Sequence, residues 1–216
     1  MKTDLLRLFE NIPYFTLEGF KQATGMEAPN QVRSLLHRWI NAGHIRSLKK
    51  GVYMTRRFYE GHRADYLFSG AVSNILLPQS YLSLEFILQR HNLLTEVTYP
   101  VTCVTIKNTR RIVNAIGTFS YRHMQAHHYH GFTIIEYFGI RIAEASTAKA
   151  LFDFLYLRPL PASHWNQRVD LAEELRLNLD EFSTADREAF ASLVEKSGSR
   201  KLTHILNNFR SNVWHP

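Results

Sequence analysis

The sequence predicts an α+β fold: an N-terminal domain of three helices and a two-stranded hairpin, then a mixed α/β domain with a helical C-terminal tail. Apolar residues recur with helical spacing in three short segments before Gly43, and the spacing then changes to alternation. Alternating segments return between residues 97 and 138, and helical spacing prevails again from residue 163. We place the two domains at residues 1–63 and 64–216.

The positive charge of the chain is concentrated in the first of these domains. The 216 residues carry a formal net charge of +7. Residues 1–63 hold eleven Lys and Arg against five acidic residues, whereas residues 64–216 are nearly balanced. A basic domain beside a neutral one is typical of nucleic-acid binding, although a basic surface that serves only solubility has the same composition. The arrangement of residues within the segment therefore has to decide between nucleic-acid binding and a basic surface that serves only solubility.

The first two helices have clear start and stop signals. Thr3 is a suitable cap for the first helix, and Pro13 ends it. Thr16 is expected to cap the second helix, and Gly25 is expected to stop it.

The third helix has two sharply different sides. We expect Asn30 to cap it, and the helix to run to about Ala42 with Gly43 as its stop. One side is apolar: Val32, Leu35, Leu36, Trp39, Ile40 and Ala42. The opposite side is polar and holds no acidic residue: Asn30, Gln31, Ser34, His37, Arg38 and Asn41, with Arg33 near its border. Arg binds guanine, and Asn and Gln bind adenine, through paired hydrogen bonds in the major groove, so we predict that this side reads bases.

A short hairpin follows this helix. Ile45–Leu48 and Val52–Thr55 alternate like paired strands, and Gly51 supplies the turn. Basic residues at or near the hairpin suit contact with phosphates or the minor groove: Arg46, Lys49, Lys50, Arg56 and Arg57. Three helices, a polar recognition face and a basic hairpin, in this order, predict a winged helix-turn-helix that binds double-stranded DNA.

The segment from Val32 to Tyr53, through Gly43-His44-Ile45 and Lys50-Gly51-Val52-Tyr53, resembles the N-terminal winged helix of AbiEi-like proteins. These are type IV antitoxins and transcriptional regulators of bacterial abortive-infection systems. The resemblance continues through four further segments: Pro78–Leu84, His91–Leu94, Val101–Thr105 and Ile142–Asp153. Asn92 stands where the family usually has Gly, and Thr147-Ala148 stand where it commonly has Pro-Glu.

The resemblance covers roughly residues 4 to 158 and implies a function as well as a fold. It implies a winged helix followed by a mixed α/β domain, and a repressor of its own operon. It also implies an antitoxin in phage defence, which neutralises a nucleotidyltransferase-like toxin without a stable complex between the two proteins. The helical tail departs from the resemblance, and we interpret it as a packing or dimerisation surface that would allow a homodimer.

The rest of the chain gives weaker signals. Ser80 to His91 is predicted to be a helix, and residues 97–106, 117–124 and 132–138 are predicted to be strands. The stretch 107–122 is basic, which fits a second nucleic-acid contact, an acidic partner or simply an exposed loop. Helices are expected over 148–157, 164–177, 185–196 and 200–210. Lys149 and Asp153 are expected to pair on a helix surface.

Catalytic and metal-binding motifs give little support for an enzyme. His123, His127, His128 and His130 are crowded together, but the carboxylate or thiolate that usually completes a zinc site is missing nearby. We therefore predict no metal, no cofactor and no catalytic residues. Cys103 is the only cysteine and is expected to be a core residue. The single cysteine and the lack of a signal-peptide core or membrane-spanning run favour a cytoplasmic protein with no membrane partner.

Two other functions remain open at this point. The first is a one-component regulator whose second domain binds a small ligand, in a pocket rich in aromatic residues such as Tyr81, Phe86, Tyr121, Tyr129 and Tyr137. The second is an enzyme whose winged helix mediates only protein contacts, which would require a cleft that gathers acidic residues with shifted pKa values.

Overall fold

A computed structural model describes residues 4–94, 100–165 and 169–214 and has a mixed α+β fold. The helices are α1 (Asp4–Arg7), α2 (Leu17–Thr24), α3 (Pro29–Asn41), α4 (Arg56–His62), α5 (Phe68–Leu76), α6 (Glu85–Arg90), α7 (Thr147–Leu157), α8 (Leu171–Glu174), α9 (Thr184–Ser197) and α10 (Arg200–Asn212). The strands are β1 (Phe15–Thr16), β2 (Ile45–Lys49), β3 (Val52–Thr55), β4 (Ser80–Leu82), β5 (Val101–Thr105), β6 (Arg110–Val113), β7 (Thr118–His123), β8 (Phe132–Tyr137) and β9 (Ile140–Ala145).

Packing divides the chain into two compact units. The first comprises Met1–Pro78, Ile112–Thr118 and Glu136–Arg141, and the second comprises Gln79–Arg111, Phe119–Ile135 and Ile142–Pro216. The first unit therefore extends past residue 63, the boundary drawn from the sequence. The limits of a separate DNA-binding domain stay a prediction.

The core of the first unit is built from the apolar sides of its first three helices. Phe20, on α2, is fully buried and meets the Trp39 ring edge-on, with ring centroids 5.7 Å apart. Phe9 and Phe15 pack beside Phe20 at centroid distances of 5.4 and 6.0 Å. Aromatic pairs at these separations stabilise a core beyond their buried area. Leu6 from α1 belongs to the same core cluster as Phe20 and Trp39, so the three helices are fixed against one another with the polar side of α3 facing out.

The predicted start and stop signals of the first two helices are partly confirmed. The Thr16 side chain accepts a hydrogen bond from the Gly19 amide at 3.0 Å, and Gly25 ends α2 with a φ of 67°. The regular part of α1 is only four residues long, and Leu8 and Ile12, which follow it, are exposed. Thr3 lies outside the described residues.

A three-stranded sheet in the order β1-β3-β2 completes the hairpin part of the first unit. Strands β2 and β3 pair antiparallel, with Ile45 opposite Thr55, and the register shifts between Ser47 and Lys49. Gly51 has a φ of 75°, the left-handed conformation that this turn requires. The predicted hairpin is confirmed.

A six-stranded sheet has the order β6-β7-β5-β4-β9-β8, and its central strands β5 and β4 lie wholly in the second unit. Strand β4 pairs antiparallel with β5 and parallel with β9, and β5 pairs parallel with β7. The helix expected from Ser80 to His91 was wrong in its first part, because Ser80–Leu82 hydrogen-bonds between two strands and only Glu85–Arg90 is helical. Strands β6 and β9 were not predicted, and residues 97–99 of the expected first strand lie outside the described residues.

Serine residues cap three of the helices that follow the sheet. Ser146, Ser183 and Ser199 cap α7, α9 and α10 by accepting hydrogen bonds from backbone amides three residues ahead. The helix expected over 164–177 was wrong where the structure describes it: Ala162–Trp165 is a 3-10 turn, and α8 begins after its cap, Asp170. Residues 166–168 of that prediction lie outside the described residues.

Candidate nucleic-acid interface

Helix α3 is held firmly at both ends, which fixes the direction of its polar face. It begins at Pro29 rather than after an Asn30 cap, because the proline ring fixes a helical φ and needs no amide partner. At the other end, the Gly43 amide donates to the Ile40 carbonyl and the His44 amide donates to the Trp39 carbonyl, both at 2.9 Å. Gly43 has a φ of 72°, which closes this Schellman end and leads the chain into β2.

The outer side of α3 is exposed over its whole length. All seven polar residues predicted there are exposed: Asn30, Gln31, Arg33, Ser34, His37, Arg38 and Asn41. Their contacts stay within the helix, since Arg38 Nε donates to the Ser34 carbonyl at 3.3 Å and Asn41 Nδ2 lies 3.4 Å from His37 Nδ1. Within residues 4–94, 100–165 and 169–214, neither Arg33 nor Arg38 is in a salt bridge. The face therefore keeps two guanidinium groups and several amide groups available to an external partner.

Lys50 is the basic residue at the hairpin tip whose side chain is not engaged within the described chain. Its side chain is exposed, and in the described parts of the chain no hydrogen bond or ion pair holds it. A lysine in this position reaches phosphate oxygens as a mobile point charge.

Lys49, its neighbour, is committed to the protein itself. Its Nζ donates to the Ile75 carbonyl at 2.5 Å and to the Leu76 carbonyl at 3.1 Å, in the last turn of α5. Helix C-termini favour a cation because their last carbonyls lack backbone partners. Burial lowers the pKa of the Lys49 ammonium. Lys49 thus anchors the hairpin to α5, a role that differs from the phosphate contact predicted from the sequence.

Arg46 is also held inside the first unit. Its guanidinium stacks on the Tyr59 ring at 4.1 Å and donates from Nη1 to the Ala115 carbonyl at 3.3 Å. Nearby, Asn114 Nδ2 donates to the Leu48 carbonyl at 3.0 Å, so the loop around Asn114 braces strand β2. Arg46 is half-buried and serves mainly to hold the hairpin in place.

Arg56 and Arg57 open α4, at the end of β3 away from the hairpin tip. Arg56 Nε lies 2.6 Å from a Glu60 carboxylate oxygen, and Arg57 Nη1 lies 2.9 Å from one of Glu10. Both arginines remain exposed, but each is neutralised by its neighbour. Of the residues predicted to bind DNA, the structure therefore leaves the polar face of α3 and Lys50 uncommitted, and engages the other four internally.

The second unit contains a buried ion pair, Lys149 and Asp153, which was predicted from the sequence to lie on a helix surface. Lys149 Nζ lies 2.6 Å from Asp153 Oδ1, yet both side chains are almost completely buried. Lys149 also donates to the His128 carbonyl at 2.8 Å, while Tyr81 and Ser83 donate their hydroxyl hydrogens to Asp153 Oδ2 at 2.9 and 2.7 Å. The expectation of a surface pair was wrong.

The electrostatics of this network follow from its burial. Burial raises the pKa of the Asp153 carboxyl, and the Lys149 ammonium and the two hydroxyl donors oppose that rise. Burial also raises the pKa of Tyr81. The Lys149 and Asp153 charges therefore neutralise each other inside the core.

The histidine cluster does not converge on a common point. His128 is buried against the rings of Phe152 and Tyr156, and burial lowers its pKa to about 4, so it is neutral at neutral pH. His123 Nδ1 instead lies 3.2 Å from the Lys107 carbonyl oxygen. In the part of the chain that the structure describes, no three His, Cys, Asp or Glu side chains are arranged to hold a metal ion.

The aromatic pocket of the ligand-sensing hypothesis is not found where it was expected. Tyr81 and Tyr121 are fully buried in the core, and Tyr137 donates its hydroxyl hydrogen to Asp65 at 2.6 Å. A cleft of about 780 Å³ lies in the second unit, and none of the five aromatic residues proposed for the pocket is among its described lining residues.

Comparison with known proteins adds no assignment: neither the known protein-family models nor the curated proteins include a match to this chain. Across the described segments, every helix is too short or too polar to cross a lipid bilayer.

Proposed function

We propose that the chain is a DNA-binding transcriptional regulator, in which α2 and α3 form a helix-turn-helix and the β2–β3 hairpin is its wing. The observation that carries this proposal is the exposed side of α3, which presents seven polar residues, two of them arginines, with no acidic residue among them. An α-helix fits the major groove of B-DNA, where Gln31 or Asn30 suits adenine and an arginine suits guanine.

The wing contributes less charge to this interface than the composition of the domain suggests. Lys50 is its uncommitted lysine, whereas Lys49 and Arg46 hold the hairpin to the rest of the first unit. In this proposal Lys50 contacts phosphate, and base recognition belongs to α3.

Titrating DNA binding with salt tests this division of roles. The logarithm of the affinity should fall linearly with the logarithm of salt concentration, with about 0.9 unit of slope for each phosphate neutralised. Lys50→Ala should reduce the slope by about one unit on any duplex. Lys49→Met should leave the slope unchanged, because that ammonium is bound to α5.

A slope near zero for the full chain would contradict DNA binding by this basic surface. Equal slope changes in the two variants would instead contradict the separate roles of the adjacent lysines. Thermal unfolding supplies the control, since Lys49→Met should lower the melting temperature and Lys50→Ala should not.

We further propose that the regulator is the autorepressing antitoxin of a type IV toxin–antitoxin system. The support is the resemblance carried by five segments: Val32–Tyr53, Pro78–Leu84, His91–Leu94, Val101–Thr105 and Ile142–Asp153. The toxin would be a nucleotidyltransferase-like enzyme, and residues 64–216 would carry the neutralising activity.

Co-expression of the full chain with such a toxin, encoded beside it, tests this second role. The wild type should restore growth and repress a reporter fused to its own promoter. A variant with Arg38→Ala and Lys50→Ala should still restore growth while repression is lost. Failure of both proteins to restore growth would overturn the antitoxin assignment and leave the DNA-binding assignment intact.

A further inference from the structure

The cleft in the second unit is built from four parts of the fold. Its floor is one side of the sheet, where Thr102 on β5 lies opposite Ser120 on β7 and Arg122 follows on the same side of that strand. Its described walls come from the start of α6, the end of α7 and the end of α8: Leu84, Glu85, Phe154, Leu157, Arg158, Glu174, Leu175 and Arg176. A volume of about 780 Å³ lies within the range of small-molecule sites.

Two arginines, Arg122 and Arg158, are among the residues that line this cleft. Arg122 Nη2 lies 3.4 Å from the carbonyl oxygen of Leu157, the residue before Arg158, and the Arg158 guanidinium lies over the Phe154 ring at 5.3 Å. The long Arg122 contact leaves most of its N–H donors without a partner in the described residues. Guanidinium groups of this kind bind a phosphate or carboxylate through paired, charge-assisted hydrogen bonds.

The backbone at the rim of the cleft is held in unusual conformations. Leu84 has a φ of 59° and a ψ of −144°, close to a region that glycine almost alone occupies, and Arg176 has a φ of 53°. Both residues line the cleft. Backbone strain in non-glycine residues persists where the surrounding structure imposes it, and such strain is concentrated at ligand sites.

The cleft is lined by apolar and acidic side chains as well as by arginines. Phe154, Leu157 and Leu175 offer apolar contact, while Glu85 and Glu174 offer acceptors for hydroxyl or amino groups. Glu174 is mostly exposed, with its carboxylate 3.8 Å from His164 Nε2. A bare inorganic anion would fill only a small part of the volume.

We infer that this cleft binds a small metabolite with an anionic phosphate or carboxylate group attached to an apolar or planar body. Arg122 and Arg158 hold the anionic group, and the body lies against Phe154 and Leu157. This site is independent of the DNA interface on α3, and it gives the second unit a ligand different in chemistry from the aromatic-pocket ligand expected from the sequence.

Calorimetric titration of the full chain without DNA tests the site. Phenyl phosphate is the probe, inorganic phosphate tests the anion alone, and benzyl alcohol tests the apolar body alone. Phenyl phosphate should bind more tightly than either. Arg122→Gln and Arg158→Gln should each weaken its binding by about tenfold or more, because each removes charge-assisted hydrogen bonds. Arg210→Gln, a matched change at an exposed arginine on α10, should not change it.

Two results would overturn the inference. The first is no heat of binding for phenyl phosphate at millimolar concentration. The second is binding that Arg122→Gln and Arg158→Gln weaken no more than Arg210→Gln does. Glu85→Gln separates anion binding from cation binding, because removing this negative charge should leave phenyl phosphate binding unchanged or stronger. A loss of affinity as large as that of the arginine variants would also contradict the site. These titrations contain no DNA, so they do not depend on the proposal for α3.

Discussion

Replacing Asp153 with alanine is expected to lower the free energy of unfolding by about 3–5 kcal/mol, because it leaves the buried Lys149 ammonium without its counter-charge. The Tyr81 and Ser83 hydroxyls lose their common acceptor in the same change. A loss of this size is a large fraction of the stability of an ordinary domain. Urea denaturation of the full chain, followed by circular dichroism, measures it.

Two comparison variants test whether the unpaired charge of Lys149 causes this loss of stability. Asp180→Ala, at an exposed aspartate, should change stability by no more than about 0.5 kcal/mol. Lys149→Met combined with Asp153→Asn should recover part of the loss, because the buried charge is gone and the amide oxygen still accepts from Tyr81 and Ser83. A double variant as unstable as Asp153→Ala would show that the charge of Lys149 does not cause the destabilisation.

Arg38→Ala is expected to lower affinity for a preferred DNA sequence by about 1–3 kcal/mol and to change affinity for random duplexes little. The reason is its place on the outer side of α3, where its Nη groups are directed to no acidic partner in the described chain. Arg7→Ala is the matched control, since Arg7 is an exposed arginine of the same unit on α1. Fluorescence anisotropy with preferred and scrambled duplexes measures the ratio of affinities, and equal losses on both duplexes would contradict base reading by Arg38.

The parts of the fold that local sequence determines were predictable. The turn at Gly51 and the serine caps of α7, α9 and α10 depend on residues within three or four positions of each other. The two sides of α3 follow in the same way from the spacing of its own residues. Strand β4 was not predictable on these grounds, because Ser80–Leu82 is extended only through pairing with β5 and β9, which lie far away in the chain.

The candidate site could likewise be predicted where it depends on local sequence, but not where it depends on residues distant in the chain. The exposed face of α3 could be read from the sequence, but the anchoring of Lys49 and Arg46 could not, since their partners at Leu76 and Ala115 are distant in sequence. The burial of Lys149 could have been predicted from the sequence of its own helix. Its helix carries apolar residues on every side, which is typical of a buried helix and argues against a solvated Lys149–Asp153 pair.

Selection from a pool of random duplexes by the full chain is the most direct test of the claim that the outer side of α3 reads DNA sequence. The wild type should enrich a single motif, and Arg38→Ala should lose preference at one or two positions of that motif while keeping the rest. Retention of DNA without enrichment of any motif would contradict the claim, and it would make the first unit a non-specific clamp on the phosphate backbone.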